Sequence, residues 1–344
     1  MAETVTIVGG GLAGLALGIG LRQDGVPVTI WEAGRYPRHR VCGEFISGRG
    51  RASLARLGLL GGLQDAGACS ATSAAFFAEP ARIAKRPLPE AALCISRFVL
   101  DGWLAREFQR LGGELLSGAR WRGEFGPGVV CASGRRAEPV TDGWRLFGLK
   151  VHARDVALDA DLEMHFAPSG YIGLCRLGSG EVNICGLFRS QATVPDLAQR
   201  WREWLGGPAA SVLHSRLAAS RLEEGSFCSV AGLCLHPQGA TQRNECCVGD
   251  ALTMIPPVTG NGMSMAFESA ELAIEPLARF SRGDLTWAGA RQEITRRFDQ
   301  RFAARLRWAA WLQRALFQPP ARSVLMFLAA HSEWFWRKTF ERTR

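Results

Sequence analysis

The sequence predicts an α/β protein with an inserted antiparallel sheet and with helices near its carboxyl end. Three observations support this fold class. A glycine-rich turn lies between two apolar strands at residues 6–32, short alternating strands follow at residues 144–188, and a helical pattern of apolar residues begins after residue 290. Alternation of apolar and polar residues indicates strands, whereas an apolar residue at every third or fourth position indicates a helix.

Length and composition indicate a folded protein with a large core. The 344 residues are 47% apolar and 21% charged, which suits two lobes or one large α/β domain. The glycine-rich turn begins a few residues after Met1, so we expect no secretory signal peptide, and no apolar run reaches the length of a membrane span. Ten cysteines then indicate reduced thiols and a cytoplasmic location.

Nucleic acid and metal ions are not the expected partners. The net charge of +9 comes from arginines spread along the chain, without a motif that would focus them on nucleic acid. The cysteines and histidines show neither C-x-x-C nor H-x-x-x-H spacing, so the sequence predicts no metal site.

The first strand, turn and helix carry the spacing of a nucleotide-binding motif. Thr6–Val8 predict the strand and Leu12–Leu21 the helix, while Gly9, Gly11 and Gly14 follow the pattern G-x-G-x-x-G. Gly9 permits the tight turn, Gly11 lets the backbone approach a pyrophosphate, and Gly14 lets the helix pack close to the sheet.

A dinucleotide is the ligand that this turn predicts. Its pyrophosphate would meet the free N–H groups at the start of the helix, at Leu12 and Ala13. Val28–Trp31 predict the second strand, which ends at Glu32 and Ala33, where a carboxylate can accept a hydrogen bond from the adenosine ribose. These features predict a Rossmann-like domain, and they leave NAD and FAD as alternatives.

The segment GRYPRHRVCGEFISGRG follows the second strand directly. Arg35, Arg38 and Arg40 place three positive charges close to the expected nucleotide, although solvated surface would explain them equally well. The segment leads into an ordinary helix, predicted at Gly50–Leu60.

A later segment, residues 246–277, favours a flavin. A short buried strand ends at Asp250, and a loop rich in proline and glycine leads into a helix predicted at Met263–Leu277. A carboxylate suits the hydroxyl groups of a ribityl chain, and the start of a helix suits the electron-rich edge of a flavin ring.

The chain resembles the FAD-dependent aromatic hydroxylase and geranylgeranyl reductase superfamily, which also contains the flavin-dependent halogenases. Four landmarks match in the family's order: the glycine turn with Glu32, RHRVCGEF, ISRFVLDGWL at 95–104, and VGDALTMIPPVTGNGMSMA. The resemblance covers nearly the whole chain. It implies FAD as the cofactor, with NADPH or NADH as a transient electron donor.

The resemblance also implies roles for individual residues. Arg40 and Arg97 would approach the FAD phosphates and the adenosine side, and Asp250 would bind the ribityl chain. The strand and turn GVVCASGRRAEP at 128–139 would lie beside the adenosine, and Gly260 to Met263 against the isoalloxazine. The full set of expected cofactor-binding residues is Gly9, Gly11, Leu12, Ala13, Gly14, Glu32, Ala33, Arg40, Arg97, Gly249, Asp250, Pro257, Gly260, Asn261, Gly262 and Met263.

One segment departs from the family's pattern. Between Leu115 and Val129 the family usually carries a strand meander and an Asp-Gly motif linked to both FAD and NADPH. This sequence has only LSGARWRGEFGPG there. The flavin domain is therefore expected to be trimmed, and the identity of the electron donor stays open.

Three regions are expected from this pattern. Residues 1–69, 90–140 and 236–290 would form a discontinuous FAD-binding domain, and residues 70–89 and 141–235 a substrate domain. Within the latter, antiparallel strands at Trp144–Phe188 precede a helix at Trp201–Leu217. Some strand residues can line a pocket for a lipophilic substrate, although strand positions of this kind more often belong to the core. They are Phe76, Met164, Phe166, Ile172 and Leu174.

Residues 291–344 are expected to form a helical cap. Apolar residues recur every four positions from Ile294 to Leu306, through Phe298 and Phe302, and a second apolar segment follows a proline break. From Arg296 onward there are eleven Arg/Lys and three Asp/Glu, interleaved with tryptophans. Two interpretations stay open: a cap that only packs over the substrate domain, or a lid that also makes a peripheral membrane contact.

Two enzyme reactions are compatible with the resemblance. In the favoured one, reduced FAD captures O2 as a C4a-hydroperoxide, which hydroxylates a lipophilic aromatic or polyketide-like substrate. In the other, reduced FAD transfers hydride to a carbon–carbon double bond of an isoprenoid-like substrate. The family's reductase segment Tyr-x-Trp-x-Phe-Pro is replaced here by GYIGLCRL, which favours the hydroxylase.

Cys42 and Glu44 in VCGEF are the candidate catalytic residues, because they lie nearest to the expected flavin and can handle protons. A packed thiol and a carboxylate that holds a backbone turn are at least as compatible with these two positions.

Other functions fit less well. There is no second G-x-G-x-x-G and no redox cysteine pair, which argues against disulfide reductases. Halogenases of the superfamily carry a Trp-x-Trp-x-Ile-Pro segment and a catalytic lysine, whereas this chain lacks that segment and has only Lys85, Lys150 and Lys338. A flavin-binding module without catalysis is a further alternative, against which the long apolar substrate domain argues.

Overall fold

Two sheets and a group of C-terminal helices make up the molecule. A computed structural model describes residues 2–78, 81–138, 140, 143–235, 239 and 245–344, and for residues 81–84 and 198 it describes the backbone alone. The predicted α/β class is confirmed: a parallel Rossmann-like sheet adjoins a second, larger sheet, and helices follow at the carboxyl end.

The strands and helices of the described residues are as follows. The strands are β1 (Val5–Val8), β2 (Val28–Glu32), β3 (Phe45–Ile46), β4 (Cys69–Ala78), β5 (Ala81–Cys94), β6 (Glu114–Ser117), β7 (Val129–Cys131), β8 (Arg145–Arg154), β9 (Leu162–Ala167), β10 (Gly170–Arg176), β11 (Val182–Ser190), β12 (Arg221–Ala231) and β13 (Cys246–Cys247). The helices are α1 (Leu12–Gln23), α2 (Arg49–Arg56), α3 (Leu60–Asp65), α4 (Arg97–Arg110), α5 (Leu197–Leu205), α6 (Val212–Ala218), α7 (Gly262–Arg282), α8 (Trp287–Leu316), α9 (Pro319–His331) and α10 (Glu333–Arg342). Two short 3-10 turns lie at Gly249–Ala251 and Pro257–Thr259.

The first sheet has the strand order β13-β7-β1-β2-β6, and all its pairs are parallel. Helix α1 connects β1 to β2, as the sequence predicts, and its residues from Leu12 to Leu21 are all buried. Small and aliphatic side chains on every side of α1 suit a helix that packs against the sheet on one side and α7 on the other. Between β6 and β7 the described chain forms no strand, in agreement with the predicted trimming.

The second sheet has the strand order β12-β8-β11-β10-β9-β4-β5-β3. Neighbouring strands along the chain pair antiparallel, as predicted for Trp144–Phe188. The prediction of a wholly antiparallel sheet is wrong at one pair, because β4 and β9 run parallel. These two strands are far apart in the sequence, so no hairpin turn forces them to be antiparallel.

Three predicted helices have different limits because of glycine and serine positions. The helix predicted at Gly50–Leu60 ends at Arg56, because Gly58 adopts the left-handed conformation that ends helices, and α3 begins at Leu60. The helix predicted at Trp201–Leu217 is divided into α5 and α6 by the segment Gly206–Gly207–Pro208. The last apolar segment is likewise divided at Ser332, whose side chain caps α10.

Helix α7 is longer than predicted and continues past Pro276 to Arg282. A proline inside a helix leaves the carbonyl four residues earlier without its usual N–H donor. Here the guanidinium of Arg297 on α8 donates to the Leu272 carbonyl at 3.4 Å and replaces that donor. The helix therefore passes through the proline because a neighbouring helix satisfies its backbone.

Helix α8 confirms the predicted amphipathic pattern. Ile294, Phe298, Phe302 and Leu306 are all buried. Arg305 pairs with buried Glu268 of α7 through two hydrogen bonds of 2.6 and 3.0 Å. No helix of the described residues combines the length and the apolar content that a bilayer span requires.

The predicted domain limits are not tested by these elements and stay a prediction. The limits at 140/141 and 235/236 adjoin residues 141, 142 and 236–238, which lie outside the described residues.

Candidate active site

The glycine turn of the first sheet contains two kinds of position. Gly9 has a φ of +113°, and a β-carbon there would lie 2.3 Å from the carbonyl oxygen of Ala132. A β-carbon at Gly14 would lie 1.9 Å from the carbonyl oxygen of Gly9. At Gly11, by contrast, a β-carbon would meet no atom within 4 Å, and the φ of −80° suits any residue. The fold therefore requires glycine at 9 and 14, whereas Gly11 borders open space.

That open space lies at the amino end of α1. The helix begins at Leu12, no side chain caps its first N–H groups, and its first turn carries no acidic residue. Leu12 and Ala13 are buried in this first turn. Free N–H groups together with the helix dipole attract anions, so this end of α1 suits a phosphate.

Glu32 is buried at the end of β2, and its carboxylate faces the glycine turn. The backbone N–H groups of Gly10 and Gly34 donate to it at 2.9 and 2.7 Å, and Arg38 forms an ion pair with it at 2.8 Å. Burial raises the pKa of Glu32, but the hydrogen bond from Gly34 and the neighbouring Arg38 outweigh it and hold the pKa below its ordinary value. The carboxylate is therefore ionised at neutral pH. Gly34 and Arg38 both approach Oε1, whereas Oε2 accepts only from Gly10 and keeps a second lone pair for a ribose hydroxyl. Exposed Ala33 follows it.

A tyrosine that the sequence analysis missed covers the same turn. The hydroxyl of Tyr36 donates to the carbonyl oxygen of Gly10. Tyrosine has no fixed place in the glycine motif, so only the folded loop brings it there.

Three arginines form a positive cluster beside the turn. Burial and the positive charges of Arg38 and Arg97 lower the pKa of Arg40. Arg97 pairs with buried Asp101 at 2.6 and 2.8 Å. The Nε atoms of Arg38 and Arg40 are buried and have no hydrogen-bond acceptor among the described residues. Buried donors without acceptors inside a positive cluster fit an anionic ligand such as a pyrophosphate.

Asp250 follows β13 on the first 3-10 turn, close to α1. Gly249 has a φ of +62°, and a β-carbon there would lie 2.7 Å from the β-carbon of Ala13. The backbone N–H of Gly249 donates to Ser269 of α7 at 2.9 Å. These contacts bring the Asp250 turn against the first turn of α1, so the structure unites two segments that are more than two hundred residues apart. We call the open region bordered by Gly11, Arg40, Arg97 and Asp250 the cofactor cleft.

The carboxyl group of Asp250 borders the cofactor cleft. Surrounding protein displaces water and raises its pKa to about 6, while the positive charges of Arg97 and Arg135 oppose the rise. The side chain is nonetheless exposed in the open cleft. We therefore expect the full rise only when a ligand covers the carboxylate.

The loop before α7 carries the remaining expected cofactor contacts. Pro257 opens the second 3-10 turn, and Gly260 ends it with a φ of +62°. A β-carbon at Gly262 would meet no atom within 4 Å, as at Gly11, so the amino end of α7 also borders open space. Asn261 and Met263 are buried on either side of Gly262. The Asn261 side-chain amide donates to the Thr343 carbonyl, while its Oδ1 has no donor among the described residues.

Glu44 is fully buried and connects β8 of the second sheet to the first residue of α4. Its Oε2 accepts from His152 Nε2 at 2.6 Å, and its Oε1 accepts from the Arg97 backbone at 2.8 Å. The Lys150 ammonium lies 3.6 Å from Oε1. Burial raises the pKa of Glu44, but the hydrogen bond from His152 and the charge of Lys150 hold it below its ordinary value.

The sequence analysis missed the partners of Glu44. Lys150 is fully buried and donates to Nδ1 of His39 at 3.0 Å. Burial and the charge of Lys150 lower the pKa of His39 to about 4, so its imidazole is neutral and can accept this bond. The available signal was the alternation along β8, which puts Lys150 and His152 on one face and apolar Leu149 and Val151 on the other.

Cys42 lies partly buried beside this network. The Glu44 backbone N–H donates to its sulfur at 3.4 Å. Burial raises the pKa of the Cys42 thiol, although the nearby charge of Arg97 opposes the rise. The thiol is therefore protonated at neutral pH. Catalytic roles for Cys42 and Glu44 stay a prediction.

An apolar cavity of about 190 Å³ adjoins the cleft between the second sheet and α8–α10. Gly43, Phe45 and Gly260 line one end of it, next to the cofactor cleft. Of the predicted pocket residues, the cavity is lined by Phe76, Met164, Phe166 and Leu174. The prediction for Ile172 is wrong: it is fully buried in the core with Trp201 and Leu205 of α5, and Leu174, two residues later on the same face of β10, is part of that core as well as bordering the cavity.

The C-terminal helices form the far wall of the cavity. Leu312 of α8, Met326 of α9 and Trp336 of α10 all line it. Trp336 is buried and its indole N–H donates to the Pro87 carbonyl at 3.1 Å, whereas Trp334 is exposed. These two tryptophans of the cap therefore differ: Trp336 is part of the core, as expected for a cap that only packs, whereas Trp334 lies on the surface.

The ionisable residues that line the cavity are Glu163, Cys175 and Arg344. Glu163 is satisfied by Arg216 at 2.7 Å and His165 at 2.9 Å. The Cys175 thiol has a raised pKa, and Arg344 donates to Ser47 at 2.8 Å.

Comparisons with known proteins agree with this geometry. Residues 7–43 match the model of the NAD(P)-binding Rossmann-like domain. The whole chain is similar to the flavin-dependent brominase Bmp2, with 16% identity, 99% of this chain and 93% of that chain covered, and a TM-score of 0.76. The chain therefore shares the fold of this flavin-dependent protein.

Two further members of this fold illustrate its range. A geranylgeranyl bacteriochlorophyll reductase-like protein from Thermoplasma acidophilum shares 17% identity, with 98% of this chain and 96% of that chain covered and a TM-score of 0.75. The p-nitrophenol 4-monooxygenase PnpA from Pseudomonas putida DLL-E4 shares 16% identity, with 99% and 98% covered and a TM-score of 0.74. A search of curated protein sequences finds no match. The matched segment and these neighbours establish a Rossmann-like domain within a fold that flavin-dependent enzymes share.

Proposed function

We propose that the protein is an FAD-dependent monooxygenase that hydroxylates a lipophilic aromatic or polyketide-like substrate. When bound and reduced, FAD would supply the reaction with O2, which protein side chains cannot perform. The residues of the chain would bind the cofactor, orient the substrate and exclude water.

The cofactor cleft has a suitable group for each part of FAD. The amino end of α1 at Gly11 and the cluster of Arg40 and Arg97 would bind the pyrophosphate. The carboxylate of Glu32 would accept from the adenosine ribose, and that of Asp250 from the ribityl chain. The buried Arg38 and Arg40 donors that lack acceptors among the described residues support this assignment.

The single observation that carries the proposal is the apolar cavity beside the cleft. Its wall consists almost wholly of aliphatic and aromatic side chains such as Phe166, Leu312 and Met326. Such a wall would exclude water from the reacting centre and so protect reactive intermediates from side reactions with water. It also favours a lipophilic substrate over a polar one.

The ionisable residues of the cavity favour hydroxylation over double-bond reduction. A reductase must deliver a proton to the substrate carbon from a group that faces it. Glu163 is occupied by Arg216 and His165, and Glu44 lies outside the cavity, occupied by His152 and Arg97. Cys175 lines the cavity as a protonated thiol, but burial makes it a weak acid. A hydroxylase needs only a dry pocket at this wall.

The test compares oxygen transfer with hydrogen transfer. Protein loaded with FAD is reduced without O2, mixed with an alkylphenol, and then exposed to isotopically labelled O2. We expect mass spectrometry to show one labelled oxygen atom in the phenol product. Parallel samples contain a polyprenyl alkene and no O2. Reduction of that alkene, together with unlabelled phenol, would overturn the proposal in favour of a reductase.

NADPH or NADH is proposed as the electron donor. The FAD-loaded protein is mixed anaerobically with NADPH or with NADH, and the decrease of the flavin absorbance near its visible maximum is followed. The nucleotide that reduces the flavin faster is the donor. If neither nucleotide bleaches the flavin in the presence of substrate, this part of the proposal is wrong.

A further inference from the structure

The C-terminal helices are apolar on their outer face as well as on the cavity side. Trp311 of α8 is 47% exposed, Val324 and Phe327 of α9 are 59% and 62% exposed, and Trp334 of α10 is 70% exposed. The last three are the most exposed large apolar side chains in the described part of the chain. Large exposed apolar groups on adjacent helices mark an interaction surface.

On each of these helices, a residue that lines the cavity is the sequence neighbour of an exposed apolar residue. Leu312 directly follows exposed Trp311 and lines the cavity, Met326 directly precedes exposed Phe327, and Phe335 directly follows exposed Trp334. The cap is therefore one helical layer thick, with the cavity on one side and exposed aromatic residues on the other.

Positive charge accompanies the exposed aromatic residues. Arg307 and Arg314 are four residues before and three residues after Trp311, so they share its helix face, and both are exposed. Within the described chain, neither forms an ion pair. Arg337 and Lys338 follow Trp334 by three and four residues but pair with Glu333 and Glu341 at 3.1 and 2.8 Å. In residues 307–344 there are seven Arg/Lys and two Glu, so the layer is positive overall.

We infer that α8–α10 dock the protein on an anionic membrane surface. Aromatic side chains with an adjacent positive charge insert at the level of lipid headgroups, where the cations meet phosphate and carboxylate groups. A second copy of the chain is a poorer occupant, because two identical positive faces repel each other. The inference goes beyond the proposed oxidation and does not depend on which reaction the flavin performs.

This position of the helices would give the proposed substrate a short route from the membrane to the cavity. A lipophilic molecule dissolved in the membrane would need to pass one helical layer to reach the cavity, without crossing bulk water.

The test measures sedimentation of the FAD-loaded protein with two kinds of vesicle. One contains phosphatidylcholine alone, and the other contains phosphatidylcholine with phosphatidylserine. We expect sedimentation with the anionic vesicles only, and its loss as salt is raised. The variant Val324→Ser/Phe327→Ser should bind the anionic vesicles about tenfold or more weakly, because two apolar side chains no longer enter the lipid.

A matched control removes the same residue types elsewhere. Val99 on α4 and Phe125 before β7 are also exposed, and Val99→Ser/Phe125→Ser should bind vesicles as the wild type does. Melting curves and flavin absorbance of both double variants establish that they are folded. The charge variant Arg307→Glu/Arg314→Glu should weaken binding to the anionic vesicles and leave the neutral ones unchanged.

Three results would overturn the inference. The wild type could fail to sediment with anionic vesicles at low salt, or the Val324/Phe327 variant could bind as well as its control. In the third, light scattering would show that the wild type forms dimers which Val324→Ser/Phe327→Ser converts to monomers, without vesicle binding by either. That result would assign the face to a second copy.

Discussion

The cofactor cleft and the apolar cavity adjoin each other, yet they differ in how their polar groups are satisfied. In the cleft, Arg38 Nε, Arg40 Nε and Asn261 Oδ1 are buried without partners among the described residues. In the cavity, Glu163 is fully engaged by neighbouring residues, and most of the wall has no polar atom to satisfy. The difference indicates that the ligand of the cleft brings charge and hydrogen-bonding groups, whereas the ligand of the cavity brings apolar surface.

Glu44 lies between the two regions, and its removal should have the largest effect. Glu44→Ala leaves Lys150 buried without its carboxylate, and breaking a buried ion pair costs about 3–5 kcal/mol in the free energy of unfolding. Denaturant unfolding at neutral pH measures this loss. The exposed Glu203, paired with Arg200 at 2.7 Å, provides the control, and Glu203→Ala should leave unfolding unchanged.

The pH dependence of this loss follows from the direction of the shift. The pKa of Glu44 is lower in the folded protein than its ordinary value of 4.5. Its stabilisation is therefore complete above pH 4.5 and disappears as the pH falls through the folded pKa. The difference between wild type and Glu44→Ala should shrink below about pH 4.5. A difference that stays constant down to pH 3 would contradict an ionised Glu44.

Gly11→Val tests whether the open space in the cleft belongs to the cofactor. Nothing in the protein lies within 4 Å of the new β-carbon, so the variant should fold and melt as the wild type does. Overpacking against a bound ligand costs about 1–3 kcal/mol, which corresponds to roughly 5- to 150-fold weaker FAD binding. Flavin fluorescence titration measures the affinity. Gly126→Val, at another glycine with no atom within 4 Å, should bind FAD normally.

A substitution in the cavity should have the opposite pattern. Ala329 of α9 lines the cavity, and Ala329→Phe would fill part of it. We expect FAD affinity to stay unchanged, while the affinity for an alkylphenol probe falls by about tenfold. Difference absorbance of the bound flavin reports the probe. Ala303→Phe on the exposed side of α8 is the matched control. Equal effects of both variants would mean that the probe binds elsewhere.

Asp250→Asn should have a small effect on stability, but one that stabilises the protein. Surrounding protein raises the pKa of Asp250 towards about 6, by less in the empty protein than when a ligand covers it, so the ionised form already destabilises the empty protein. The variant should therefore be more stable than the wild type at pH 8, by about 1 kcal/mol since water screens the exposed side chain. The gain should vanish as the pH falls from about 6 towards 4. The same variant should bind FAD more weakly, and unchanged FAD affinity would exclude Asp250 from the ribityl contact.

The cleft was easier to predict than its surroundings for a physical reason. The strand, turn and helix around Gly9 and Gly14 depend on residues close together in the sequence, so their spacing alone specifies them. The network of Glu44, Lys150 and His152 combines a loop with a strand more than one hundred residues later. No local sequence pattern specifies which buried acidic side chain pairs with which buried basic side chain.

The cavity wall was predictable in part. Alternation along β9 identified Met164 and Phe166, which line the cavity. On β10 the same reasoning chose Ile172 and Leu174, whose shared face packs in the core with Trp201 and Leu205, and of these two only Leu174 borders the cavity. Both faces of this sheet are covered, one by α5 and the other by the C-terminal helices. A strand buried on both sides does not show which face borders a cavity.

The hydrogen bond from Asn261 to the Thr343 carbonyl connects the cofactor loop to the last turn of the chain. Its Oδ1 lacks a donor among the described residues, so a ligand that donates a hydrogen bond to it would hold the amide in its present orientation and stabilise the bond to Thr343. Backbone amides after Phe340 should then exchange their hydrogens with water more slowly when the cofactor cleft is occupied, so that hydrogen exchange at the final residues would report on a ligand bound at the other end of this bond.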